Sequence, residues 1–568
     1  MPEVDFLPAG RRAPRRSLFS IVLGALLLLA IGAPWAADGA PSAAIASAHP
    51  LATDAGFEVL EVGGNAFDAA VAVSAALAVV EPYSSGLGGG GFWLLHRATD
   101  GRELMLDGRE RAPLAAHRDM YLDADGRFQP ESSLNGPLAA GIPGHPAALV
   151  HLAETYGRLP LAKSLEPAIR LARDGFPVDE HYRRLAGFRL EVLRQSPAAA
   201  QQFLLNGEVP PAGATILQPD LAATLEQIAT SGRDGFYVGP VAERLVSGVR
   251  AAGGIWTLED LAAYRVVERE PIVGRYRGWR VVSAAPPSSG GVLLVQMLNM
   301  LSGFDLAALE PVDRAHLLVE VMRRAYRDRA LYLGDPDASI IPLDLLTHPF
   351  YAAGLARDIS PDLATPSVPT TAREQGADTT HFSILDRDGN RVAATLSVNY
   401  PFGAGFVPPG TGVLLNDEMD DFSAQPGVPN AYGLVGGEVN AIAPGKRMLS
   451  SMSPTFADSD RGVAILGSPG GSRIITMVLH GLLSLDAGQE PAAWVANPRF
   501  HHQYLPDEIQ HEPEALSEAE RRVLEARGHR LREIGDGYGN MQAIYWDRKA
   551  DVVRAASDPR GIGKADAR

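Results

Sequence analysis

Asp378-Thr379-Thr380-His381-Phe382-Ser383 is the first stretch of this 568-residue chain whose residue types could do chemistry. A threonine hydroxyl is a poor nucleophile unless a base sits beside it, and an N-terminal α-amine supplies that base without another side chain. On Thr379 such an amine exists only after the backbone is cut behind Asp378. The same hydroxyl can make the cut by attacking the Asp378 carbonyl, so that the amide becomes an ester that water hydrolyses. Taken alone, Thr-Thr-His is equally an ordinary strand sequence, because β-branched pairs favour strands.

Two further segments carry potential chemistry. In Gly467-Ser468-Pro469-Gly470-Gly471-Ser472, between strand-like Ala464–Leu466 and a helix from Arg473 to about Leu485, backbone N–H groups at the turn can point at developing negative charge. The plain alternative is a turn that only starts a helix. Asn416-Asp417-Glu418-Met419-Asp420-Asp421-Phe422 concentrates carboxylates, but it lacks the mid-loop glycine and closing glutamate that a calcium loop needs. A solvated acidic surface is the competing reading.

The elements that must position these residues follow from periodicity. Thr380–Leu385 and Arg391–Val398 read as strands joined by Asp386-Arg387-Asp388-Gly389-Asn390, a hairpin signal. Asn65 can cap a helix over Ala66–Val80, apolar on nearly every face and therefore buried. Gly86-Leu87-Gly88-Gly89-Gly90-Gly91 precedes a strand at Phe92–His96, whereas phosphate cradles follow a strand, and no Gly-Lys-Ser/Thr comes after it. Residues from about 150 to 350 are rich in helical periodicity. The amphipathic stripe of Asp313–Leu333 predicts a helix whose arginines form a solvated face. Between Ser360 and Ala377 the pattern dissolves into Pro, Thr, Ala and polar residues, the composition of a loose segment.

Composition removes several classes of function. A net charge of −16 and a pI near 5.4 disfavour nucleic acid as the main partner. The absence of cysteine excludes disulfides, thiolate nucleophiles and cysteine metal sites. Arg11, Arg12, Arg15 and Arg16 precede an apolar run from Leu18 to Ala33, so residues 1–37 read as a signal peptide, with Arg15-Arg16-Ser17-Leu18-Phe19 similar to a twin-arginine signal. An uncleaved membrane anchor is the alternative. Either way the body is expected to be exported, periplasmic or secreted.

Thr379–Phe422, Gly445–Thr455 and Gly467–Ile475 together resemble the small subunit of γ-glutamyltransferases, or glutathione hydrolases, of the N-terminal-nucleophile hydrolase superfamily. Upstream, His49-Pro50-Leu51-Ala52, Gly63–Ala70, Ser85–Gly90, Asp107-Gly108-Arg109-Glu110, Gly141-Ile142-Pro143-Gly144 and Pro287-Ser288-Ser289-Gly290-Gly291 recur in the family's order. The resemblance implies an α+β fold, a four-layer αββα sandwich formed by two subunits cut from one precursor. Residues 38–378 would be the large subunit and 379–568 the small one, the two pairing as a heterodimer.

It also implies roles. Thr379 would be the nucleophile. Ser397 stands where the family commonly has a threonine that contacts the nucleophile's amine. Gly470 and Gly471 match its oxyanion pair. Arg109 matches a carboxylate-binding arginine, with Ser450 and Ser451 adding hydroxyl donors, and bidentate geometry is why arginine suits that task. Glu418 and Asp421 match contacts to a donor's ammonium, Asn399 matches another polar contact, and Tyr432 lies in what looks like a lid loop. The expected ligands are γ-glutamyl donors such as glutathione and amino acid or peptide acceptors, with no cofactor or catalytic metal required. The rivals are an acylase that removes a glutaryl-like group, which needs no ammonium pocket, and a non-catalytic exported binding protein.

Overall fold

Two antiparallel sheets lie face to face in the computed structural model, which describes residues 39–367, 379–535 and 537–568. Their strands are β1 (Ala44–Ser47), β2 (Gly90–Arg97), β3 (Arg102–Gly108), β4 (Val267–Arg269), β5 (Ile272–Tyr276), β6 (Trp279–Ser283), β7 (Thr380–Leu385), β8 (Arg391–Ser397), β9 (Thr455–Ser459), β10 (Gly462–Gly467), β11 (Gln542–Asp547), β12 (Val552–Ser557) and β13 (Lys564–Ala567). The first sheet has seven strands in the order β13-β1-β7-β8-β2-β3-β4, and the second has six in the order β12-β11-β10-β9-β6-β5. Segments 1–37 and Asp378 lie outside the described residues.

Alternation along the strands makes the layers. Trp93, Leu95, Phe382, Ile384, Val392, Ala394 and Leu396 face outward into one apolar cluster with helix α1 (Ala66–Val80). Phe92, Leu94, Met105, Leu385 and Ala393 face inward and join Val282, Phe456, Ile465 and Ile544 of the second sheet. Helices α2 (Gly290–Leu301), α3 (Pro311–Tyr332) and α4 (Ile474–Asp486) share that second cluster. The stacking is therefore helix, sheet, sheet, helix. All 15 residues of α1 are buried, and Asn65 caps it reciprocally with Asp68.

The arginines of α3 depart from expectation. Arg323, Arg324 and Arg329 are buried rather than solvated. For Arg323 and Arg324, partners one turn away and from elsewhere in the chain make this possible. Glu320 accepts from Arg323 Nε at 3.1 Å and from Arg324 Nη1 at 2.6 Å, while Asp507 and Ser367 accept from Arg323 and Thr365 accepts from Arg324. Charges paired in this way can enter a protein interior that would reject them singly.

His381 points between the sheets, held by Thr395 at 2.8 Å and by Ser383 at 3.3 Å. Burial lowers its pKa to about 3, so the ring is neutral. The ring lies directly on Gly467, where an added Cβ would come within 2.2 Å of it. Gly467→Ala should therefore destabilise the fold by about 1–3 kcal/mol, seen as a lower urea midpoint. An unchanged midpoint would contradict this sheet spacing.

Candidate active site

Thr379 sits at the head of β7, only 6% exposed. The ladder pairs Leu396 with Thr380, so the next register position brings Ser397, the last residue of β8, opposite Thr379. On its other side Ser397 pairs with Gly90. Its hydroxyl accepts the Asn399 N–H at 2.8 Å. Asn399 has a φ of 77°, a left-handed conformation rare outside glycine, fixed by its side chain donating to the Asp417 carbonyl at 3.0 Å.

One small polar cleft is lined by Arg109, Thr379, Ser397, Asn399, Glu418, Asp421, Tyr432, Ser450, Ser451 and Gly471. These are the residues singled out from the sequence, with one difference. Gly470 does not line the cleft; it lies one position back, packed on Met477. The glycine pair turns the chain from β10 into a short 3-10 turn and then α4, with φ values of 139° and 56°. Tyr432 closes one side, its hydroxyl donating to the Asn399 carbonyl at 2.7 Å and its ring lying on Gly471.

Charge dominates the floor. Arg109, 1% exposed, donates through Nη1 to Glu418 Oε2 and through Nη2 to Asp421 Oδ2, each at 2.5 Å, with Glu110 Oε2 3.7 Å from Nη1. Burial works against the guanidinium's charge, but Glu418, Asp421 and Glu110 more than compensate and raise its pKa. Three carboxyl groups then share one cation in a medium that punishes net charge, and they do not all ionise together. Burial, followed by the nearness of Glu418, holds Glu110 well above the ordinary carboxylate range. Burial also lifts Glu418 to about 7, against the pull of Arg109 and with the help of Asp421.

Several neighbours were not anticipated. Glu110 follows Arg109 in the quoted motif, yet nothing in its spacing signals that it joins the carboxyl cluster. Asp420 accepts from the Ala431 N–H at 2.9 Å and from the Ser133 hydroxyl at 2.7 Å, and burial lifts its pKa to about 7. This carboxyl therefore ties the Tyr432 loop to the site. Ser472 also lines the cleft, donating to Gln503 at 2.7 Å, and Gln503 in turn donates to the Tyr432 carbonyl at 3.1 Å.

A family model described as gamma-glutamyltranspeptidase matches residues 52–567. The chain belongs to that family. It is 44% identical over 527 residues to the glutathione hydrolase proenzyme of Escherichia coli K12, covering 91% of this chain and 90% of the relative. It is 42% identical over 565 residues to the glutathione hydrolase proenzyme of Pseudomonas aeruginosa, covering 96% and 98%. Among solved structures, a cephalosporin acylase from Bacillus halodurans superposes with a TM-score of 0.81 at 29% identity, covering 99% of each chain. A γ-glutamyltranspeptidase fold thus carries this cleft, and the acylase is the more distant likeness in sequence.

Because burial lifts Glu418 to about 7, any cation brought against it meets an ionised carboxylate only as the pH rises through that value. Competitive inhibition by glutamate should tighten between pH 6 and 8, by up to about tenfold per pH unit at the acid end. Glutarate, which lacks the ammonium, should show no such limb, and Glu418→Gln should flatten it for glutamate. A limb that persists unchanged in Glu418→Gln would assign the titration elsewhere.

Proposed function

We propose that the chain is a self-processing γ-glutamyl hydrolase and transferase whose nucleophile is Thr379, acting on glutathione and related γ-glutamyl amides. The observation that carries this reading is a single cleft that Thr379 shares with a buried cation, two carboxylates and two serine hydroxyls drawn from distant parts of the chain. A γ-glutamyl donor is zwitterionic at one end and carries its scissile amide at the other. A zwitterion matches an internal ion pair: its ammonium draws Glu418 and Asp421, which frees Arg109 N–H groups for its carboxylate, and Ser450 and Ser451 add donors.

The reaction has two halves. The Thr379 hydroxyl oxygen bonds to the γ-carbonyl carbon while the free α-amine of Thr379 takes the hydroxyl proton. The backbone N–H of Gly471, the glycine of the pair that lines the cleft, stabilises the oxyanion. The C–N bond then breaks, the leaving amine takes the proton, and a γ-glutamyl ester of Thr379 remains. Water or an acceptor amine attacks that ester, releases glutamate or a new γ-glutamyl amide, and restores the threonine hydroxyl. Processing uses the same hydroxyl on the Asp378 carbonyl, and the two fragments stay paired because both contribute strands to each sheet. Ser397 stands opposite Thr379 with a hydroxyl suited to contact its amine, and Tyr432 covers the cleft as a lid. The basic and then apolar N-terminal segment supports export of the body, periplasmic or secreted.

Purified protein should run as two fragments, the smaller beginning at Thr379, and Thr379→Ala should remain one uncut, inactive chain. A Thr379→Ala chain that still divides would remove Thr379 from processing. The purified enzyme should also turn over γ-glutamyl anilide well and glutaryl anilide poorly. The reverse preference would instead favour a glutaryl acylase.

A further inference from the structure

Ser450 and Ser451 do not stand alone. The segment Pro287-Ser288-Ser289, just ahead of α2, runs beside them with Ser288 bridged in parallel to Ser450. Ser450 N–H donates to the Pro287 carbonyl at 2.8 Å, and the Ser289 N–H returns a bond to the Ser450 carbonyl at 2.8 Å. The Ser289 hydroxyl donates to that same carbonyl at 2.7 Å, and the Ser288 hydroxyl donates to the Met452 carbonyl at 2.6 Å. Two buried serines thereby clamp the Ser450–Met452 turn from behind.

Arg329 of α3 sits behind both. It is buried, and its Nε donates to the Ser289 hydroxyl at 3.0 Å while its Nη2 donates to the Ser451 hydroxyl at 3.2 Å. Burial opposes the charge, Tyr326 and Asp421 favour it, and Arg109 opposes it, which sets this guanidinium within the electrostatic field of the cleft. Arginine remains charged regardless.

The direction of these bonds has a consequence for the cleft. A hydroxyl oxygen that accepts from a cation turns its own proton away from that cation. Ser289 directs its proton to the Ser450 carbonyl, and Ser451 is left with a proton to offer the cleft it lines. Ser450 Oγ accepts the Met452 N–H at 3.1 Å, so its proton is likewise available to a ligand. We propose that Arg329, acting directly on Ser451 and through Ser289 on Ser450, is a positioning residue. It orients the Ser451 hydroxyl and anchors the Ser450 backbone so that both serines donate to the α-carboxylate of the ligand, and it adds a second positive charge behind them. This rests on the γ-glutamyl reading given above.

The test uses the processed enzyme and three competitive inhibitors that differ by one group: glutamate, glutarate without the ammonium, and 4-aminobutyrate without the α-carboxylate. In Arg329→Met, the inhibition constants of glutamate and glutarate should rise roughly tenfold, the worth of a charge-assisted hydrogen bond. That of 4-aminobutyrate should stay within about twofold. KM for γ-glutamyl anilide should rise by a similar factor with kcat little changed, and Arg329→Lys should recover part of the loss. Ser289→Ala should show the same selectivity in weaker form, and it carries the test should Arg329→Met fail to process. Equal weakening of all three inhibitors, or a fall in kcat at constant KM, would overturn the proposal and leave Arg329 a structural residue. If the wild-type enzyme binds 4-aminobutyrate as tightly as glutamate, it has no α-carboxylate site, and the γ-glutamyl reading falls first.

Discussion

A nucleophile that draws its base from its own chain end has to be held firmly after that end is cut free. The position of β7 meets this constraint. It lies inside the seven-stranded sheet, laddered to β1 on one side and to β8 on the other. Its odd and even residues are locked into two different apolar clusters, with Leu385 on one face and Phe382 and Ile384 on the other. A break before Thr379 therefore leaves the new terminus at the head of a strand that is laddered to both neighbours and packed on both faces, which restricts where its hydroxyl can go. An edge strand would fray at such a break.

The second requirement is a polar pocket that does not collapse the core around it. Arg109 provides the cation that lets Glu418 be buried beside the partly buried Asp421. Each sign depends on the other, because removing either one leaves its partner uncompensated in low dielectric. The same logic explains why Asn399 tolerates a left-handed backbone: its side chain, its N–H and its carbonyl are each engaged, by Asp417, Ser397 and Tyr432 respectively.

Much of this was legible in the residues themselves. The hairpin from Thr380 to Ser397 shows in its alternation and its Asp-Gly-Asn turn, the buried helix Ala66–Val80 in its lack of a polar face, and the turn at Gly470 in the glycines themselves. What local pattern could not supply was pairing across the chain. Arg109 meets Glu418 and Asp421 more than three hundred positions away, and no periodicity reports such a meeting. The arginines of α3 show the converse error. Charge spacing alone suggests solvent, yet Glu320 on the same helix, and Ser367 and Asp507 from elsewhere, convert Arg323 into an interior residue. A carboxylate three or four residues before paired arginines is the only local hint of that outcome.

The central claim is that one residue is both the new chain end and the acyl carrier, and intact-mass analysis of acid-quenched enzyme reads both properties at once. After mixing with excess γ-glutamyl anilide, the smaller fragment should have the mass of a chain beginning at Thr379, plus one γ-glutamyl group localised to that first residue. An adduct on any other residue, or a reacting fragment that begins elsewhere, would contradict the account.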